Sequence, residues 1–154
     1  MARFGSVITA MVTPFTADGE LDHEGAAELA RWLVAQGNEA LVLSGTTGEA
    51  ACLTDEEQIA LWRTVRAAVD VPLIAGSGTN DTRHAAELTS AAAGAGMDAV
   101  LIVTPYYNRT SQAGIEAHFH YVCAATELPA IMYDIPVRTG RKIGTDLIVR
   151  MAKE

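Results

Sequence analysis

Five consecutive residues, Gly45-Thr46-Thr47-Gly48-Glu49, carry the densest chemistry in this sequence. They follow the apolar run Ala40-Leu41-Val42-Leu43 and precede a helical segment. A buried strand that empties into such a turn leaves two hydroxyls and several free backbone N–H groups at its end. With glycines that let a ligand approach the backbone closely, this is in outline a cradle for a carboxylate or oxyanion. An ordinary strand-to-helix turn also needs glycine, so the other polar side chains must discriminate. Glu49 suits an anchor of the turn better than a reacting group.

The elements that would position these residues repeat one unit. Val7-Ile8-Thr9-Ala10-Met11-Val12 reads as a strand closed by Thr13-Pro14, and Ala26, Leu29, Ala30, Leu33 and Val34 then recur at helical spacing up to Gly37. After the central turn, Thr54-Asp55-Glu56-Glu57 forms a capping box for a helix carrying Ile59, Trp62, Val65 and Val69. Pro72–Gly76, Ala99–Val103 and Pro129–Tyr133 are the third, fourth and fifth strands. The helix after the third opens at Asn80 or Asp81 and packs Ala85, Leu88 and Ala92. The next carries Ile115, Phe119 and Val122, and Leu147-Ile148-Met151 forms a last amphipathic piece.

Short strands rich in Val, Ile and Leu, alternating with helices at a period of roughly 30 residues, predict a parallel sheet covered by helices. A doubly wound sheet and a (β/α)₈ barrel both satisfy this. The polar residues favour the barrel, because Thr13, Thr46, Thr47, Ser77, Thr104, Tyr106, Tyr107, Tyr133 and Arg138 all follow strands and would gather at one C-terminal face. The expected fold class is therefore α/β, a TIM barrel of which residues 1–154 supply about the first five βα units.

Composition narrows the chemistry further. With 154 residues and 49% hydrophobic content, the chain can build one domain with a real core. Eleven basic against 19 acidic residues, a formal charge of −8, argue against nucleic acid or an anionic membrane as partner. No apolar stretch nears the ~18 residues of a membrane span, and the N-terminus does not resemble a signal peptide. Cys52 and Cys123 form no redox or metal spacing, which fits a reduced, cytoplasmic compartment, with Cys52 as buried filler.

His118 and His120 stand two apart on a helix and face differently, while His23 and His84 read as lone and solvent-facing. No metal is expected. Gly76-Ser77-Gly78-Thr79-Asn80-Asp81 imitates a dinucleotide fingerprint, but Asp81 replaces the third glycine and would repel a pyrophosphate, so no cofactor is expected either.

Gly45-Thr46-Thr47-Gly48-Glu49, then Thr104-Pro105-Tyr106-Tyr107-Asn108, then Tyr133-Asp134-Ile135-Pro136 with Arg138-Thr139-Gly140, resemble the dihydrodipicolinate synthase family from about residue 3 onward. The first and third motifs also resemble the wider group of pyruvate-dependent class I aldolases, which includes N-acetylneuraminate lyase. The resemblance implies condensation of pyruvate with aspartate semialdehyde on the route to diaminopimelate and lysine, through a Schiff base on a sixth-strand lysine. It implies Tyr133 as proton carrier, Thr46 as the hydroxyl linking Tyr133 to Tyr107, Thr47 and the turn at Gly48 as the pyruvate carboxylate site, and Arg138 as the grip on the semialdehyde carboxylate.

The resemblance also implies a homo-oligomer, a dimer or a tetramer of two dimers, with Tyr107 crossing into a neighbouring subunit. Two adjacent tyrosines after one strand should not both point into one mouth. At the positions of the lysine-effector pocket found in inhibited relatives stand Asp55, Gln58 and His84, with Asn80 and Tyr106 retained, so feedback by lysine is expected to be weak or absent. The two lysines present, Lys142 and Lys153, are not placed on a strand. The chain alone is thus expected to be inactive, cut before the sixth strand and apolar at both sheet edges. The alternatives are a non-catalytic half-barrel and an aldolase using another aldehyde.

Overall fold

A computed structural model describes residues 3–153; the outermost positions of the expected 1–154 domain lie outside the described residues. Five parallel strands are present: β1 (Ile8–Ala10), β2 (Ala40–Leu43), β3 (Leu73–Gly76), β4 (Ala99–Val103) and β5 (Ala130–Tyr133). Between and after them run α1 (His23–Ala35), α2 (Asp55–Ala68), α3 (Thr82–Gly94), α4 (Gln112–Cys123), α5 (Pro136–Thr139) and α6 (Thr145–Met151). The sheet order is β1-β2-β3-β4-β5. A doubly wound sheet reverses its strand order at a switch point. This one never does, and sequential order is the arrangement of a barrel wall.

Helices α1 to α4 each start where the sequence provides an acceptor for the unpaired N–H groups of the first turn. Asp22 caps α1, Ser111 caps α4, and Thr54 with Glu57 completes the capping box of α2. Asp81, rather than Asn80, caps α3, and the N–H groups of His84 and Arg83 hold its carboxyl below the usual range.

Strand alternation then sorts the side chains. Leu41, Leu43, Leu73, Ala75, Val100 and Ile102 turn toward the helices, where they join Leu61, Trp62, Val65, Ile115 and Phe119 in one buried cluster. Burying a side chain of this size contributes about 1.5–3 kcal/mol. Val42, Leu101 and Val103 turn to the opposite, concave face and stay half-buried.

The first strand is shorter than the expected Val7–Val12. Its ladder pairs only Ile8, Thr9 and Ala10 with β2, and Val7 and Val12 are exposed. Both end strands are edges, as expected, and none of their residues is fully buried. The polar residues that follow strands also divide. Thr13, Ser77 and Thr104 are buried and engaged internally: Thr13 donates to the Gly48 carbonyl at 2.6 Å, and Ser77 pairs with Thr89 at 2.7 Å.

Two histidine expectations need correction. His84 is not lone, since its Nε2 lies 2.8 Å from the Asp55 carboxylate, and His23 bonds Thr64 through Nδ1 at 2.7 Å. His118 and His120 do face differently. His118 is 3% exposed and bonded to Thr82, while His120 is exposed.

Candidate active site

The C-terminal strand ends open onto a cleft of about 530 Å³ lined by the turn after β2, by residues of β3, β4 and β5, and by the loops that follow them. Ser44, Gly45 and Thr46 form one wall, Leu101 and Val103 the floor, Tyr106 and Tyr107 a second wall, and Tyr133 with Arg138 the third. An apolar floor beneath a few hydroxyls and one guanidinium is the usual make-up of a small-molecule site.

The turn after β2 is anchored from below. Ser44 (φ 51°) and Glu49 (φ 55°) both take the left-handed conformation that L-residues rarely adopt. The Ser44 hydroxyl, itself buried, accepts the indole N–H of fully buried Trp62 at 3.1 Å. Gly76 passes beneath so closely that a Cβ there would lie 2.2 Å from the Ser44 carbonyl oxygen. Gly48 is likewise pressed against the segment that leaves β1, 3.0 Å from the Met11 carbonyl by the same measure. The glycines of the supposed nucleotide fingerprint thus serve close backbone packing, Gly78 against Val103 included.

The opposite wall is built differently. Val103 and Tyr133 are ladder partners, which sets Tyr133 beside the residues leaving β4. Tyr106 and Tyr107 both border the cleft. Tyr107 has φ 67°, which breaks the strand alternation at this point. Tyr106 is half-buried, whereas Tyr107 is 89% exposed. Arg138 sits on the single-turn helix α5, which Gly140 ends in a left-handed cap.

The structure therefore brings Thr46, Tyr107, Tyr133 and Arg138 to one cleft. Thr46 and Tyr133 share it without a hydrogen bond between their hydroxyls among the described residues. Thr47 is exposed and outside the lining, and Gly48 lies buried under the turn. Cys52 corrects another expectation: it is exposed and lines the cleft, because the 3-10 turn Ala50–Cys52 is too short to have an inward face. Ser44 and Trp62 were missed. Only a serine directly after a buried strand could have hinted at the first. Lys142 and Lys153 are exposed and neither lines the cleft.

The dihydrodipicolinate synthetase family model matches residues 3–154. The chain belongs to this family. It is 54% identical, over 99% of its length, to the 4-hydroxy-tetrahydrodipicolinate synthase of Acidothermus cellulolyticus, half of which it covers. A dihydrodipicolinate synthase from Bacillus anthracis superposes with a TM-score of 0.96 at 43% identity, over 99% of this chain and 53% of that one. A chloride-inhibited synthase from Acinetobacter baumannii, crystallised with pyruvate, gives 0.94 at 41% identity, over 97% and 52%. The five-stranded sheet is thus the matching part of a (β/α)₈ barrel, and the chain spans about half the length of the curated relatives it matches.

Proposed function

We propose that this chain is the N-terminal part of a 4-hydroxy-tetrahydrodipicolinate synthase, which condenses pyruvate with aspartate semialdehyde and whose sixth strand would follow Glu154. The observation that carries the reading is the convergence of Thr46, Tyr133 and Arg138 on one cleft with an apolar floor, with Tyr107 exposed at its rim. Pyruvate would be held as a Schiff base on a lysine outside these residues. The work of this chain is then to bind, orient and move protons.

Tyr133, half-buried at the end of β5, would protonate the carbinolamine hydroxyl as it leaves as water and take the proton back when the imine is hydrolysed. The Thr46 hydroxyl can accept from one tyrosine and donate to another. The N–H groups of the turn at Thr47 and Gly48 would take the pyruvate carboxylate, and Arg138 would grip the semialdehyde carboxylate with two parallel N–H donors. The exposure of Tyr107, with its ring held out by a left-handed backbone, supports its use in the site of a second subunit. An isologous dimer exchanges such a ring symmetrically, and two such dimers would give the homotetramer. The protein would work in the cytoplasm, and no helix among the described residues is long and apolar enough to cross a membrane.

The test is a substrate panel on the full-length protein. Turnover of pyruvate with aspartate semialdehyde, and none of N-acetylneuraminate, is expected; the reverse preference would move the protein to the other aldolases. For the shared site, Tyr107→Phe protein mixed with Tyr133→Phe protein should regain activity through hybrid sites. Absence of recovery after verified subunit exchange counts against a crossing tyrosine.

A further inference from the structure

The loop carrying Tyr107 holds two left-handed non-glycine residues within three positions, Tyr107 (φ 67°) and Arg109 (φ 50°). Such backbone persists only where its surroundings over-determine it. Part of the restraint comes from the β3 side, where the Asn108 amide donates to the Asn80 carbonyl at 3.1 Å. The rest comes from the loop after α5, the helix that carries Arg138.

The bonds between these two loops run both ways. Arg141 donates to the Arg109 carbonyl at 2.7 Å, and Arg109 Nε returns to the Gly140 carbonyl at 3.4 Å. Gln112, the first residue of α4, spans two main-chain groups at once. Its Nε2 donates to the Lys142 carbonyl at 2.9 Å, and its Oε1 accepts the Gly144 N–H at 2.7 Å. An amide that donates and accepts against one strip of backbone fixes separation and register together, as a β-bridge does. None of these side chains lines the cleft.

We infer that Gln112 and Arg141 are positioning residues that lock the Tyr107 loop to the Arg138 loop. By doing so they set where the aldehyde's carboxylate sits relative to the tyrosines. The substrate part of this inference rests on the proposed condensation; the lock does not.

Two readouts on the full-length protein separate them. Gln112→Ala and Arg141→Met are each expected to raise the aldehyde KM roughly three- to tenfold, the scale of one net hydrogen bond. The pyruvate KM should stay within about twofold, because the pyruvate cradle lies on the far wall. Arg141→Lys keeps a donor for the Arg109 carbonyl and should behave as wild type. In hydrogen exchange, both disruptive variants should speed the amides of residues 107–111 and 140–144 together and leave 44–49 unchanged. Unchanged exchange in both loops of a folded variant overturns the lock. An unchanged aldehyde KM, or an equal rise in both KM values, overturns its positioning role. Wild-type protein that turns over neither substrate, with both loops still loosening in the variants, sinks the proposed condensation and leaves the lock standing.

Discussion

Two walls of the cleft, the one after β2 and the one after β4, solve one problem by opposite means. The turn at residues 44–49 and the loop at 106–111 both contain two left-handed non-glycine residues, Ser44 with Glu49 and Tyr107 with Arg109. The first is held from inside, by the buried bond from Trp62 to Ser44, by Thr13 on Gly48, and by backbone packing at Gly76. The second is held from outside, by solvent-exposed side-chain bonds to neighbouring loops. Buried polar bonds are costly to break, whereas exposed ones trade readily with water. On the proposed reading, a carboxylate cradle formed by one chain is fixed by that chain's core, and a ring offered to another subunit stands in solvent until it is covered.

The largest expected effect breaks the inner wall. Gly76→Ala drives a Cβ to 2.2 Å from the Ser44 carbonyl, so backbone must move. The full-length protein should lose about 3 kcal/mol, an upper figure for overpacking, read as a shift in the denaturation midpoint with pyruvate turnover lost. Trp62→Phe is next. It keeps most of the volume but orphans the buried Ser44 hydroxyl, for a loss of ~1–3 kcal/mol and a raised pyruvate KM. Tyr107→Gly sharpens the contrast from the other side. Relief of the left-handed strain offsets the added chain entropy, leaving stability within about 0.5 kcal/mol while condensation falls steeply.

Much of this was legible in the sequence. Strand count and order followed from the alternation of apolar runs with helical spacing, and caps such as Thr54-Glu57 appeared where expected because capping is local chemistry. What was illegible is non-local. Nothing near Cys52 says that its turn opens on the cleft, and nothing near His84 says that Asp55 lies 2.8 Å away across two helix starts. The reach of Val7–Val12 failed because an edge strand has one partner, and pairing, not composition, decides where it stops. The same limit hid the indole beneath Ser44, 18 positions away.

Smaller effects concern the outer helices. The His84–Asp55 pair occupies the carboxylate that could otherwise have received a lysine amino group, which strengthens the expectation of weak feedback. A charged hydrogen bond to that amino group would be worth roughly 1.5–3 kcal/mol, and without it titration calorimetry of the full-length protein with lysine should show no micromolar binding. His118 gives the smallest signal. Burial lowers its pKa below the ordinary 6.5, so the folded state favours the neutral ring. Its contribution is present above that value and is lost as pH falls below it, because the unfolded chain takes the proton first. Denaturation midpoints measured on either side of pH 6.5 should show this decline, and His118→Phe should flatten it.

On the proposed function, these residues build the walls of a pyruvate site whose nucleophile lies elsewhere in the protein. Borohydride reduction in the presence of pyruvate, followed by intact-mass measurement, tests it on the 154-residue chain and on the full-length protein side by side. One stoichiometric pyruvyl adduct is expected on the full-length protein and none on the shorter chain. A stoichiometric adduct on Lys142 or Lys153 of the 154-residue chain would contradict it.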